Sequence, residues 1–372
     1  MLSFWEKNSL LNYDCIIAGS GILGLSTACE IKENFPGKEV LVLERGIFPT
    51  GASTKNAGFL CFGSLTEILA DIKFKDEDDA FQLVENRWRG ISLLKQRLSE
   101  NKMGYLKFGG YELIDDKYLN ALEKIDYVNE LLKDIFDENA FEIKDELIKD
   151  FGFNRNFVKS LVYSPYEAQI DTGEMMKTLL KYAQFLGIQI INGCEVKDVY
   201  KNKVAAYHNI LKEEIEFTSD CTIICTNAFT NKLIPEMNVK PGRGQVLITK
   251  PINDLKFKGI FHYDEGYYYF RNYGKRVIFG GGRNLDFEGE ETDEFEQNEK
   301  IINDLTQKLN EIILPNQKYE IEDTWAGIMG FTENKLPVVQ RVSDNIIVAI
   351  SCNGMGIALS SFIARQIAGL LS

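Results

Sequence analysis

An α/β chain of two interleaved domains is predicted from three observations. Residues 14–45 read as an apolar strand, a glycine turn, a helix and a second apolar strand ending in an acid. A strand and helix pattern of the same kind resumes near residue 170 and again after residue 325. Between them, residues 241–324 have a β-rich texture with a hairpin at Asn272-Tyr273-Gly274. The expectation is a Rossmann-like domain made of residues 1–75, 152–240 and 325–372. Into it, residues 76–151 and 241–324 insert an α+β domain on a mixed, largely antiparallel sheet. A length of 372 residues makes two domains the natural arrangement.

In the opening unit each glycine has a physical task. Gly19 permits the tight turn, Gly21 lets the backbone approach a pyrophosphate, and Gly24 lets helix and strand pack closely. The helix that begins near Ile22 and Leu23 then presents unpaired N–H groups to phosphates. Glu44, twenty residues past Gly24, is placed to accept hydrogen bonds from a ribose, and Arg45 follows it. An acid at this position disfavours a 2′-phosphate, and with it NADP.

Composition excludes several classes. A formal charge of −13 makes nucleic acid an unsuitable partner, because phosphate backbones are held by clustered Lys and Arg. Seven dispersed cysteines without CxxC spacing point to a reducing compartment, not a disulfide framework. Only His208 and His262 are present, which leaves little material for a histidine metal site, and no metal is expected. Residues 1–12 lack the basic flank and apolar run of a signal peptide, so a cytoplasmic location is expected. Residues 346–364 carry no charge, yet Asn353, Gly354, Gly356 and three serines suit a strand, a turn and a helix better than a membrane span.

Along the chain, residues 49–63 are small and polar, as befits a loop that covers a ligand. Phe81, Val84, Trp88, Ile91, Leu94 and Leu98 recur at helical spacing over 76–101, and a second helix is expected over 119–135. Residues 105–114 read as a strand pair and 136–160 as a polar connection. Asp171 caps a helix carrying Met175, Met176, Leu179 and Ala183. Strands are expected at 204–211, 215–217, 221–225, 244–249, 266–271 and 276–280; alternation in the fifth puts Tyr268 and Phe270 on one face and Tyr267, Tyr269 and Arg271 on the other. The acidic run 288–296 reads as a solvated loop before a helix bearing Ile301, Leu305, Leu309 and Ile312.

In order and spacing, the motifs GSGILGLSTA, LVLERG, GAST with NAGF, SPYEAQIDTGEM, GCEV, PGRGQV, GKRVIFGGG, WAGIMGFTENKLPVV and SCNGMGIALS resemble the superfamily of D-amino-acid oxidase, glycine oxidase and sarcosine oxidase. That resemblance covers nearly the whole chain and implies an FAD-binding domain and a substrate domain. It implies that the fingerprint holds the FAD pyrophosphate and Glu44 the ribose. Ser53, Thr54, Ala57, Gly58 and Phe59 match the loop beside phosphates and flavin, and Val196 the residue whose backbone contacts adenine. Asn353, Gly354, Met355, Gly356, Ile357 and Ala358 match the turn against the flavin's pyrimidine end.

The departures bear on chemistry. Met329 stands where amino-acid oxidases carry a carboxylate-docking arginine, so a soft apolar wall replaces the clamp, with Arg271 or Arg283 as possible substitutes. Gly327 stands where covalently flavinylated relatives carry a cysteine, which implies non-covalent FAD. Gly356 replaces an oxygen-activating lysine, so O2 and a quinone or carrier are both open as electron acceptors. Tyr268 matches a tyrosine that lines the substrate pocket, while His262 is expected to be structural and Lys335 matches no catalytic position. The resulting expectation is an FAD-dependent oxidoreductase acting on the C–N bond of a small-molecule amine or amino-acid derivative. Oxidation of a 2-hydroxy acid or alcohol, or a non-catalytic electron-transfer subunit, are the alternatives.

Overall fold

The computed structural model describes residues 2–334, 336–350 and 352–371. Two eight-stranded sheets carry the fold. The first has the path Val338–Ser343, Ile346–Ile350, Glu213–Ile224, Asn12–Ala18, Val40–Glu44 and Gln189–Asn192. Its central pairs are parallel, and its strands read as unbroken apolar runs because helices cover them: Asn12–Ala18 buries Cys15, Ile16, Ile17 and Ala18. Helices Ile22–Asn34, Glu77–Leu98, Thr172–Phe185 and Gly356–Gly369 contribute to one core with it.

The second sheet runs Ile321–Phe331, Lys240–Thr249, Arg276–Gly281, Tyr268–Tyr273, Ile260–Tyr263, Gly110–Ile114, Ser160–Ser164 and Glu142–Ile143. All its pairs are antiparallel except Ile260–Tyr263 with Gly110–Ile114. One face buries Phe257, Phe261, Phe270 and Phe279 beneath helix Glu299–Lys308. The mixed, largely antiparallel sheet is as the sequence predicts.

Sheet membership departs from the expected boundaries. Ser160–Ser164 and the whole of Ile321–Phe331 hydrogen-bond into the second sheet, although residues 152–240 and 325–372 were expected in the first domain. Helix Glu77–Leu98, expected in the inserted domain, presses on the first: a Cβ on Gly90 would lie 1.9 Å from the Ala358 carbonyl oxygen. Helical periodicity marks the apolar stripe but not the surface it meets.

Local departures have local causes. Residues 213–224 form one strand where two were expected, since Thr218 and Asp220 fall on the outward phase of a continuing alternation. The expected pair over 105–114 is one strand, Gly110–Ile114, with an isolated bridge from Leu106 to Gln169. The helix expected over 119–135 is a 3₁₀ stretch, Asp116–Lys124, followed by Ile125–Leu132.

The acidic run was misread as solvated throughout. Glu290 is fully buried, accepting from the Arg243 guanidinium at 2.7 Å, from Gln245 at 3.1 Å and from Asn298 at 2.8 Å. The described residues of 346–364 form strand Ile346–Ile350, a turn at 353–354 and the first part of helix Gly356–Gly369. Among the described residues, no helix is long and apolar enough to cross a membrane.

Candidate active site

A cavity of about 490 Å³ is lined from the glycine turn of the first sheet to the wall of the second. At the first end stand Gly19, Gly21, Ile22, Leu23, Glu44 and Arg45, with Val196 beside them. The turn is shaped by two contacts. Gly19 has φ +101°, and a Cβ on Gly24 would lie 2.0 Å from the Gly19 carbonyl oxygen, so Gly24 stands behind the wall as a packing residue. Gly21 caps helix Ile22–Asn34 without a side-chain bond, and the Ile22 N–H donates to the Ser53 hydroxyl at 2.8 Å.

Glu44 is buried and held in place. Its carboxylate accepts from the Ser20 N–H at 3.0 Å, the Ser20 hydroxyl at 2.7 Å and the Gly46 N–H at 2.8 Å. A carboxylate offers about four acceptor sites, so one is left for a ligand hydroxyl. Ser20 was not anticipated; its place inside the glycine turn was the available signal. The Arg45 guanidinium lies 3.8 Å over the Phe229 ring.

The middle of the cavity is bounded by Ser53, Ala57, Gly58 and Phe59 on one side and by residues 353–358 on the other. Thr54 does not reach it: its hydroxyl donates to the Pro49 carbonyl at 2.8 Å, closing the 3₁₀ turn Ala52–Thr54. Asn353 accepts from the Thr332 N–H at 3.1 Å, and Gly354 takes φ +87°.

Gly327 and Met329 line the second-sheet end together with Tyr267, Tyr269 and Arg283. The Arg283 guanidinium lies 4.1 Å over Phe331 and 5.2 Å over Phe287, and among the described residues it has no ion pair. Its Nε is buried without a hydrogen-bond partner, and burial lowers its pKa.

Two expected catalytic residues lie elsewhere. Tyr268 points to the opposite face of its strand, stacked on Tyr263 at 4.7 Å, its hydroxyl donating to Asp304 at 2.9 Å. Period-two alternation separates it from Tyr267 and Tyr269, which do face the cavity; the faces were legible, and the wrong one was chosen. Arg271 shares the Tyr269 face but stops short of the cavity under Gly58, whose Cβ would lie 3.0 Å from its guanidinium. Burial pushes Arg271 down to about 10, against the pull of Asp171. Lys335 lies outside the described residues.

A buried polar group that the sequence did not reveal completes the wall. His262, Cys61, Glu67 and Arg87 line the cavity, although they come from four separate segments. The His262 Nε2 lies 3.3 Å from a Glu167 carboxylate oxygen, and its ring meets Phe59 edge-on at 5.2 Å. Arg87 pairs with Glu67 at 3.1 Å. Glu112 behind them accepts from the Ser64 hydroxyl at 2.8 Å, the Thr66 N–H at 3.1 Å and the Thr66 hydroxyl. Burial raises the Glu67 and Glu112 carboxyls above the usual range.

A family model described as DAO, FAD dependent oxidoreductase, matches residues 14–370. The chain belongs to this family. The chain is 23% identical over 388 residues to gamma-glutamylputrescine oxidoreductase of Escherichia coli, covering 99% of this chain and 85% of the relative. It is 23% identical over 370 residues to bifunctional protein ThiO/ThiG of a Synechocystis species, covering 96% of this chain. The chain spans about half the length of that relative, 51%. Among solved structures, L-proline dehydrogenase from P. horikoshii superposes with a TM-score of 0.77 at 17% identity, covering 97% of this chain and 94% of the other. Glycine oxidase from Geobacillus kaustophilus gives 0.75 at 17%, covering 97% and 95%. These likenesses show the fold.

The residues present fit FAD. The chain has a cavity reaching from the glycine turn to the second sheet, a helix N-terminus whose cap residue Gly21 has no side chain and whose Ile22 amide meets the Ser53 hydroxyl, and a buried acid with an acceptor site to spare. A side chain at Gly21 would stand 3.0 Å from Ser53, narrowing the opening over those amides.

Proposed function

We propose that this oxidoreductase oxidises the C–N bond of a small amine or amino-acid derivative and passes the electrons to O2 or to a quinone or carrier. The observation that carries this reading is Arg283. A guanidinium on the cavity wall, sandwiched by aromatic rings and without an ion pair among the described residues, suits a substrate carboxylate. It enters from the second sheet, while Met329 supplies the apolar surface at the place where relatives are expected to carry the docking arginine.

In this reading the Gly21 turn and the Leu23 N–H hold the FAD pyrophosphate together with the Ser53 hydroxyl, which the Ile22 N–H positions at 2.8 Å, Glu44 holds the ribose, and Val196 borders the adenine. Residues 57–59 and 353–358 flank the flavin. Bound FAD supplies the two-electron acceptor for the C–H bond next to nitrogen. The chain's own residues do the rest: Arg283 orients the anion, Phe59, Tyr269 and Met329 exclude water from the reacting carbon, and helix Gly356–Gly369 turns its N-terminus toward the cavity. With Gly327 at the position where the resemblance puts the attached cysteine, and with burial holding the Cys61 thiol on the wall protonated, the flavin is taken as non-covalent; the location is taken as cytoplasmic.

One observation favours oxidation of a 2-hydroxy acid instead, because His262 with Glu167 places a base on the wall. Against it, the neighbouring carboxyls of Glu67, Glu112 and Glu167 oppose the build-up of negative charge on a hydroxyl oxygen and favour a cationic ammonium. The test is anaerobic bleaching of the purified yellow protein with panels of amines, amino acids and hydroxy acids. Bleaching by nitrogen compounds is expected. Bleaching by hydroxy acids alone, or flavin that acid does not release, would contradict the respective parts of the reading.

A further inference from the structure

We propose that His262, positioned by Glu167, is the proton acceptor that converts the bound substrate ammonium to the reactive free amine. The proposal rests on the C–N reading above. It begins from the chemistry of that bond, because an ammonium nitrogen has no lone pair with which to form C=N as hydride leaves carbon. The proton must go somewhere before the electrons can.

The cavity wall offers one imidazole for it. His262 is 5% exposed and still lines the cavity, directly across the antiparallel register from Tyr269. Nε2 faces Glu167 at 3.3 Å, so Nδ1 is the ring atom this proposal assigns to proton exchange with a ligand. Glu167 is in turn fixed by the Phe62 N–H at 3.3 Å. The imidazole is thus held at one orientation by a carboxylate and by the edge of Phe59, the arrangement a positioned base requires.

The groups facing His262 come from every element around it. Glu167 precedes strand Ala168–Gln169, Glu67 lies on helix Leu65–Phe74, Glu112 on strand Gly110–Ile114, Arg87 on helix Glu77–Leu98, and Cys61 in the loop before Ser64. A sulfur, a carboxylate oxygen and a ring nitrogen of Cys61, Glu167 and His262 all lie within 4.8 Å of one another. Burial disfavours the imidazolium, but the charge and hydrogen bond of Glu167, joined by Glu67 and Glu112, more than offset it, and the pKa rises above the ordinary value. Burial among these acids keeps the Cys61 thiol protonated, so it does not compete for the role.

The step balances as follows. The substrate N–H bond breaks and an imidazole N–H forms, leaving R2CH–NH2 and imidazolium. The C–H bond then breaks, its hydride passing to oxidised FAD, while the nitrogen lone pair forms C=N. The products are an iminium ion and reduced flavin, and water hydrolyses the iminium to a carbonyl compound and ammonium.

The test uses the two-histidine composition of the chain. Protein labelled in its imidazoles gives two resonances, and His208→Asn assigns them. The His262 signal is expected to titrate above the ordinary value of about 6.5 and to shift when an unreactive amine carboxylate binds. In stopped flow, the rate of flavin bleaching should rise with pH through that midpoint. Glu167→Gln should move both midpoints to lower pH together, and His262→Asn should slow bleaching by about 10²-fold or more and abolish the inflection. Should His262→Asn fail to fold, the paired shift in Glu167→Gln carries the test.

Bleaching by amines with the same pH profile in wild type and Glu167→Gln would overturn this role and leave the C–N reading standing. An imidazole signal indifferent to the ligand would do the same. A wild-type flavin that no amine or amino acid bleaches at any pH would instead bring down both.

Discussion

The guanidinium of Arg283 rests 4.1 Å above the ring of Phe331, and a Cβ on Gly242 would come within 3.1 Å of its central carbon and 2.3 Å of that ring. Glycine at 242 therefore makes room for the stack, and the stack holds the cation at the wall with no carboxylate partner among the described residues.

Arg283→Ala is expected to raise KM for carboxylate-bearing substrates by about 10²-fold, the loss of a charged contact of roughly 2–3 kcal/mol, with the flavin spectrum unchanged. Arg283→Lys should recover little, since an ammonium lacks the planar face that lies over Phe331. Steady-state kinetics against neutral amines provides the control, because those substrates should be barely affected.

Tyr268→Phe should cost about 1 kcal/mol of stability through the lost bond to Asp304 and leave KM unaltered. Tyr269→Ala, on the cavity side of the same strand, should weaken substrate binding by about tenfold, the equivalent of ~1.4 kcal/mol. Denaturant melts and kinetics on the two variants would show whether the pocket reads odd or even residues here.

Gly24→Ala puts a methyl 2.0 Å from the Gly19 oxygen, which is backbone and cannot swing aside. We expect about 1–3 kcal/mol of destabilisation from overpacking and, because the displaced turn carries the phosphate amides, protein that purifies with little FAD. Apo-protein melting and FAD titration measure the two effects separately.

Glu290→Ala strands the Arg243 guanidinium in the core of the second sheet. A loss of about 3–5 kcal/mol is expected, read from the denaturant midpoint. A solvated acid in the same run, such as Glu288, should be replaceable at no measurable cost.

Stability should also fall with pH through His262. Its folded pKa is raised, so the stabilisation is complete below the unfolded value of about 6.5 and disappears as pH rises through the folded value. Glu67 and Glu112, also raised, give the same sign in a window beginning near the ordinary carboxyl range. Comparing melts of wild type and Glu167→Gln across pH isolates the histidine part, since the variant should lose most of the slope that lies above the ordinary imidazole value.

What the residues alone determined was whatever depends on near neighbours in the chain. The turn at Gly19, the helix beginning at Ile22, the acid ending Val40–Glu44 and the capping of Thr172–Phe185 by Asp171 are local, and each was legible. So were the two faces of Tyr268–Tyr273, because alternation is a property of the strand itself.

Only the tertiary structure decided which of those faces looks into the cavity, since that depends on helix Glu299–Lys308 covering the other one. It likewise decided that Glu290 is an interior anchor for Arg243, 47 residues earlier, and that His262 meets Glu167, 95 residues earlier. A charge in the sequence carries no mark of being buried. Burial, and with it the partner and the pKa, is set by which distant segments fold over it.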